Sequence, residues 1–510
     1  MTGPSRPIVA VVGAGIAGLA AAWELVTAPP GDGPPPEVHV FEATDRVGGK
    51  LRAAEFAGRT VDLAADAFLA RRPEATDLCA ELGITGSLVP VGASGASIWA
   101  RGRLRMMPAG LNLGVPTRWW PLVRSGILSP AEAMRPALDL VTPHLRSHSA
   151  FGDRAVGAIV GERLGTAVVE RLVDPLVGGI NAGGVDELSA AATFPVLIAA
   201  SHQAGSLMRS LGRAAQRSAA SAAATAGDGP ATPVFWSLPG GTASLAGLVA
   251  DALVGRGVAI HTGVAVEAVE AVRQTGGQGT GAPAWRLSLG GTGLAGDGPT
   301  TRDVDGLILA VPAPEAGVLL APFAPEAAGM LSVIEYGSVA VVTMALPPDA
   351  IGAPIRGTGF LVPRTSTIDG RPALTTGVTY LGRKWPHLAR PGDELIRASV
   401  GRFGDERHAA LDDDQLIASV LGELTALIDL RGTPLEATVT RWDAAFPQYQ
   451  VGHLIRVGRV ERALADLGTV AVAGAALRGV GIPACIGSGR SAARQVLAAV
   501  SAPAGAAPTP

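Results

Sequence analysis

Residues 7 to 25 read PIVAVVGAGIAGLAAAWEL. A run of β-prone residues meets three glycines, Gly13, Gly15 and Gly18, and passes into an alanine-rich amphipathic segment. The spacing fits G-x-G-x-x-G between a strand and a helix. The first glycine permits the tight turn, the second lets a pyrophosphate approach the backbone, and the third allows close helix–strand packing. The helix N-terminus then offers free N–H groups and a positive dipole end to phosphate. In a chain with 68 glycines the pattern is weak alone. It gains weight from VHVFEA (38–43), a second strand whose terminal acid, Glu42, stands where a ribose would be hydrogen-bonded. These elements predict a β-α-β unit over residues 7 to 42 and leave open whose pyrophosphate it holds.

At 510 residues, 48% hydrophobic and 17% charged, the chain is globular and long enough for two or three structural units. A net charge of -3 without a Lys/Arg run gives no reason to expect a nucleic-acid partner. Cys79 and Cys485 lie far apart, which suits a reducing compartment and excludes a disulfide framework or thiolate metal site. The apolar run Ile8 to Ala22 is broken by the glycines and reads as strand–turn–helix rather than export signal. No uninterrupted apolar stretch is long enough to span a bilayer. The expected location is therefore cytoplasmic, with peripheral contact at the inner face of the membrane left open.

The nucleotide-binding grammar of strand, Gly-rich loop and helix recurs at 236–269 and at 468–500. The fold expected is α/β: a discontinuous Rossmann-like dinucleotide-binding domain in three pieces (1–95, 234–315 and 436–500). A helical insertion occupies 96–212 and a β-rich α+β substrate domain 316–435. The polar, low-complexity tract 213–233 reads as a flexible linker, 274–300 as a long hairpin tip, and 501–510 as a disordered tail.

The segment EATDRVGGKL (42–51) is similar to the extended fingerprint of the flavin-binding amine-oxidase-like superfamily. Arg46 can reach phosphate or ribose oxygens, Gly48 and Gly49 let the backbone pass close to the cofactor, and Lys50 adds a cation. FAD is accordingly the expected cofactor. The terminal VAGAALRGVGIPACIGSGRSAA (472–493), with Gly474, Gly479, Val480, Gly481 and Ile482, can wrap the ribityl and ring portions. The following helix dipole would lie near the flavin N1–C2=O edge.

Three further stretches sharpen the likeness: residues 150–195, RWDAAFPQYQVGHL (441–454) and GVGIPACIGSGRSAA (479–493). From about residue 7 to 500 the chain resembles the oxygen-dependent protoporphyrinogen and coproporphyrinogen III oxidases, most of all the bacterial coproporphyrinogen branch. The resemblance implies FAD-binding, substrate-binding and helical membrane-facing parts, a porphyrinogen substrate, and dioxygen as acceptor. It places FAD contacts at Gly13, Ala14, Gly15, Ile16, Ala17, Gly18, Glu42, Ala43, Lys50, Val264, Trp442 and Val480. In VDLAADAF (61–68), where the family usually has a glycine, Ala64 or Ala65 adds a methyl group. Cofactor contacts at Ala64, Ala65, Asp66 and Ala67 therefore depart from the family pattern. Hand-off of product to a ferrochelatase, and a monomeric or homodimeric state, stay open.

Such a reaction needs orientation and a flat apolar cleft rather than an acid/base dyad, and no catalytic side chain is assigned: the flavin carries the chemistry. Porphyrinogen carboxylates favour cations at the cleft mouth. Arg71 and Arg72 are candidates, as is the run RGRLRMMPAG (101–110), and each arginine also reads as a solubilising surface group. Gly178, Gly179 and Asn181 are candidates for close approach of a planar ligand, or for a packed helix corner. Trp119 and Trp120 suit an interface or burial equally. His144 and His148 have zinc-like spacing without a third ligand, and Cys485 reads as a small buried side chain. An amine oxidase, a carotenoid desaturase and a non-catalytic porphyrin-binding flavoprotein are the more distant alternatives.

Overall fold

Five short parallel strands lie in the order Ala259–Thr262, Glu37–Glu42, Ile8–Val12, Gly306–Leu309, Val470–Val472. They come from distant parts of the sequence, with residues 8–12 paired to 306–309 and those in turn to 470–472. The computed structural model describes residues 6–28, 35–93, 95–141, 152–226, 233–272, 284–293 and 300–501. IVAVV and GLIL are apolar throughout because both faces of the sheet are covered. Val9 and Val11 point into one core with helices Ile16–Thr27, Ala243–Val254 and Ile482–Val500. Ala10 and Val12 point into the opposite core. There they meet the antiparallel strands Ala265–Val272, Ala284–Gly290 and Thr301–Val304, and the helices Ala313–Leu320, Pro325–Ser332 and His453–Ala465. This is the alternation a period of two demands.

The small residues of the first helix have a packing reason. A Cβ on Gly18 would stand 1.9 Å from the Gly13 carbonyl oxygen, and one on Gly489 would stand 2.0 Å from that of Ala17. The first and last helices thus cross at near backbone contact, which only a glycine at the crossing allows.

A seven-stranded sheet forms the second unit, in the order Glu436–Pro447, Tyr336–Leu346, Glu394–Val400, Thr375–Tyr380, Gly359–Leu361, Ser97–Ala100, Arg103–Met106. Helix Asp413–Ile428 covers one face. Three expected boundaries move. Residues 97–106 are a hairpin of this sheet, not the start of the helical insertion, turning through Arg101 (φ 55) and Gly102 (φ 72). Residues 436–447 are its edge strand rather than part of the cofactor domain, although the Lys50 and Trp442 contacts bring them back to that domain. Conversely, helices Ala313–Leu320 and Pro325–Ser332 pack on the parallel sheet and not in the β-rich unit.

The third unit is helical, around Leu122, Ile159, Leu172, Phe194 and Met208. Its segment Val169–Gly178 is wound as a π-helix and contains Pro175, which has no N–H to give to an ordinary helical bond. The expected linker is a correction in its first part. Helix Leu207–Ala226 runs through residues 213–226, since alanine-rich sequence favours helix over coil. Residues 227–232, the tips 273–283 and 294–299, the tail from 502, and His144 with His148 lie outside the described residues. Among the described residues no helix is long and apolar enough to cross a membrane.

Candidate functional site

The opening strand ends at Gly13, whose φ of +100 and contact to Ala310 exclude a side chain: an added Cβ would meet the Ala310 oxygen at 2.7 Å. Gly15 is different. It has ordinary extended backbone (φ -68, ψ 170), and a Cβ there would find nothing within 4 Å. The space in front of it is a cavity of about 650 Å³.

Gly13, Gly15, Ile16 and Ala17 line this cavity on one side, and Glu42, Ala43, Gly49 and Lys50 continue the wall. The two glycine loops touch, since the Gly48 N–H donates to the Ala14 carbonyl at 2.8 Å. Glu42 is held as a built acceptor. Its carboxylate takes the Ala14 N–H at 2.9 Å, the Thr44 N–H at 3.0 Å and the Thr44 hydroxyl at 2.8 Å. Ala14 therefore acts on Glu42 through its backbone and does not line the cavity, nor does Gly18.

Arg46 is not among the lining residues. Its guanidinium donates to the carbonyls of Val47 and Gly49, at 3.3 and 2.8 Å, so it clamps the glycine turn from behind. Lys50 is the cation that faces inward. Its ammonium donates to the Ala445 carbonyl and sits 5.7 Å from the Tyr336 ring centroid. Desolvation holds its pKa below the ordinary lysine value, partly opposed by Cys485 and Glu315.

Ala64, Ala65, Val264 and Trp442 complete the middle of the wall, with the Trp442 indole N–H on the Leu63 carbonyl at 3.3 Å. Asp66 and Ala67 are not lining residues, and Asp66 has a different task. Its buried carboxylate accepts from Lys384 (2.8 Å), Trp385 (3.1 Å) and Arg397 (3.1 Å), tying the loop to the seven-stranded sheet. The two cations hold it ionised well below the usual aspartate range, outweighing desolvation.

The far end is closed by Gly474, Val480, Ile482 and Cys485. Gly481 caps the helix Ile482–Val500 from behind the wall. Two residues behind this loop fix its shape. The Tyr449 hydroxyl donates to the Ala475 carbonyl and accepts the Gly479 N–H at 2.8 Å. His453 stacks on Tyr449 with centroids 4.0 Å apart and gives its Nε2 proton to the Leu477 carbonyl at 2.8 Å. Burial lowers the His453 pKa to about 4, so the ring is neutral, and raises the Cys485 thiol to about 11. PQYQVGH (447–453) was legible as a motif, but its role as a brace was not. Pro312, Glu315, Tyr336 and Phe446 are lining residues that sequence reasoning missed. AVPAPE (310–315), directly after a buried strand, was the available signal for the first two.

The substrate candidates are spread more widely. Arg71 is exposed, Arg72 pairs with Glu74 at 2.7 Å, and neither lines the cavity. Asn181 is buried: its side-chain amide donates to the Val177 carbonyl at 2.8 Å, and its backbone carbonyl accepts from the Gln448 side chain at 3.1 Å. It is a helix-corner brace. Gly179 is open, with nothing within 4 Å of an added Cβ. Trp119 is anchored on the Ala133 carbonyl at 3.0 Å, whereas Trp120 is 63% exposed. Among the described residues no cluster of three His, Cys, Asp or Glu could hold a metal.

An elongated cavity, a glycine without a Cβ where phosphate must approach, a pre-oriented acid, an inward lysine and a helix N-terminus at the far end suit a dinucleotide with a large second ring system. Comparison with known proteins agrees. The family described as flavin containing amine oxidoreductase matches residues 16–497. A coproporphyrinogen III oxidase of Propionibacterium freudenreichii subsp. freudenreichii is 34% identical over 98% of this chain and 92% of its own length. One of Bacillus subtilis (strain 168) is 31% identical over 96% and 97%. The crystal structure of a proposed protoporphyrinogen oxidase from Exiguobacterium sp. 255-15 superposes with a TM-score of 0.80 and 30% identity, covering 97% of this chain and 99% of that one. The chain belongs to the family of flavin-containing amine oxidoreductases, and FAD is its cofactor.

Proposed function

We propose that this protein oxidises coproporphyrinogen III to coproporphyrin III, with dioxygen as acceptor and hydrogen peroxide as the second product. The observation that carries the reading is the near-complete, end-to-end likeness to bacterial coproporphyrinogen III oxidases. The chemistry supplied by bound FAD is acceptance of a hydride equivalent from a bridging carbon, repeated until the macrocycle is aromatic.

The chain's own residues bind and orient. We assign the pyrophosphate to the face of Gly15 and the N-terminus of helix Ile16–Thr27, and the ribose to Glu42. Ala64, Ala65, Trp442 and Val480 are assigned to the flavin end. The N-terminus of helix Ile482–Val500, held in register by Tyr449 and His453, favours negative charge building up at that end during reduction. Lys50 adds a second positive group there. Substrate carboxylates are assigned to Arg71 and Arg72, and the open backbone at Gly179 leaves room for a planar ring. Exposed Trp120, Met134, Leu138 and Val141 on the helical unit support peripheral contact with a membrane surface.

Protoporphyrinogen IX is the second reading, favoured by the likeness to the Exiguobacterium protein. An amine oxidase would need paired aromatic rings beside the flavin. Of the three tyrosines, only Tyr336 lines the cavity, and its hydroxyl is occupied by the Ala313 N–H at 2.8 Å. Aerobic turnover of both porphyrinogens, followed by porphyrin fluorescence with peroxide measured alongside, separates the readings. The expected result is faster turnover of coproporphyrinogen III with about three peroxides per porphyrin, one for each two-electron step. A strong preference for protoporphyrinogen IX rejects the substrate assignment, and absence of fluorescent porphyrin from either rejects the activity.

A further inference from the structure

A second cavity of about 640 Å³ opens where the hairpin 97–106 meets helix Trp119–Ser125 and the end of helix Asp413–Ile428. It shares no lining residue with the cofactor cavity. Its walls carry four arginines, Arg103, Arg105, Arg124 and Arg356, against one carboxylate, Asp429, which is already paired with Arg431. Among the described residues none of the four arginines has a carboxylate within salt-bridge distance.

Arg105 is built into the wall. Its Nε donates to the Ala100 carbonyl at 3.1 Å. Its Nη1 packs against Gly126, where an added Cβ would stand 2.5 Å away. Desolvation, with Arg103 and Arg101 nearby, lowers its pKa. A guanidinium fixed in direction, crowded by like charges and left without a counter-ion is electrostatically incomplete, and an oxyanion is what completes it. Trp99, Phe360 and Tyr380 give the same cavity an aromatic wall.

We propose that this cavity binds a small organic anion carrying two or more carboxylate or phosphate groups, at a site separate from the flavin. Arg105 is the fixed recognition group, and Arg103, Arg124 and Arg356 are the movable ones.

The test is calorimetric titration of the FAD-loaded protein, at constant ionic strength, with three probes: citrate, benzene-1,3,5-tricarboxylate and pyrophosphate. Saturable binding of at least one probe with a stoichiometry of one is expected. It should weaken at least tenfold in Arg105→Met and in Arg356→Met and stay unchanged in Arg371→Met, an exposed arginine outside the cavity. The tighter probe class tells carboxylate from phosphate. Arg356 and Arg124 are exposed, so Arg356→Met and Arg124→Gln carry the test should Arg105→Met not fold. Absence of saturable binding for all three probes, or binding that survives loss of Arg105 and Arg356 together, overturns the proposal.

Discussion

Replacing Gly15 by alanine separates cofactor binding from folding, because this glycine alone of the opening three has both room and an ordinary backbone. At Gly13 the φ of +100 and the Ala310 oxygen 2.7 Å from an added Cβ make any side chain costly, and at Gly18 the clash with the Gly13 oxygen is closer still, at 1.9 Å. At Gly15 an added Cβ meets no protein atom within 4 Å, and φ -68, ψ 170 suits alanine. The unliganded fold should therefore be unchanged, or more stable by about 0.4–1 kcal/mol through the lower entropy of the unfolded chain. The methyl group instead enters the cavity where the pyrophosphate must approach. Losing one charge-assisted hydrogen bond of about 1.5–3 kcal/mol predicts FAD affinity weaker by that amount, roughly 10- to 150-fold. FAD titration of the stripped protein, with thermal melting of the same samples, reads both effects. An FAD affinity within twofold of the parent, or a melting point several degrees lower without FAD, would refute the placement of the phosphate at Gly15.

Asp66→Ala removes the shared partner of Lys384 and Arg397, and chemical denaturation should show a loss of about 3–5 kcal/mol; a loss below 1 kcal/mol contradicts the buried ion-pair reading. Tyr449→Phe deletes the hydroxyl between the Ala475 carbonyl and the Gly479 N–H. It should cost about 1–3 kcal/mol and shift the visible spectrum and reduction potential of the bound flavin, whereas a variant with unchanged flavin properties would make the residue merely structural. Asp62 carries a folded-state pKa raised to about 6, chiefly by burial, although Thr242 and Ala243 donate to it. A raised acid pKa favours folding below the unfolded value near 4 and loses that contribution as pH rises through 6. Relative to Asp62→Asn, the parent should therefore lose about 2 kcal/mol of stability between pH 4 and pH 7, read from denaturation at several pH values, and a pH-independent difference rejects the burial argument.

The parts legible in the sequence were those with local grammar. Glycines between a strand and a helix, the acid ending the next strand, and a second Gly-rich loop before the last helix marked both ends of the cofactor cavity. What stayed hidden depends on contacts between distant segments. Asp66 directly follows Ala64 and Ala65, which do line the cavity, and only the arrival of Lys384 and Arg397, more than 300 residues later, turns it away. The hold of Arg46 on the Val47 and Gly49 carbonyls, behind the glycine turn, was not legible either. The hairpin 97–106 was read with the helices that follow it, although the Arg101–Gly102 pair is a turn signal, because its partner strand comes from residues 359–361. The alanine tract 213–226 was read from low complexity when helix propensity was the stronger term.

The central claim is that electrons leave a porphyrinogen through the FAD held in this cavity. Anaerobic mixing of the FAD-loaded protein with coproporphyrinogen III tests it most directly. The account predicts bleaching of the flavin absorbance with about one porphyrin formed for every three flavins reduced, since each macrocycle gives up three hydride equivalents. Flavin absorbance that persists in the presence of excess coproporphyrinogen III would contradict it.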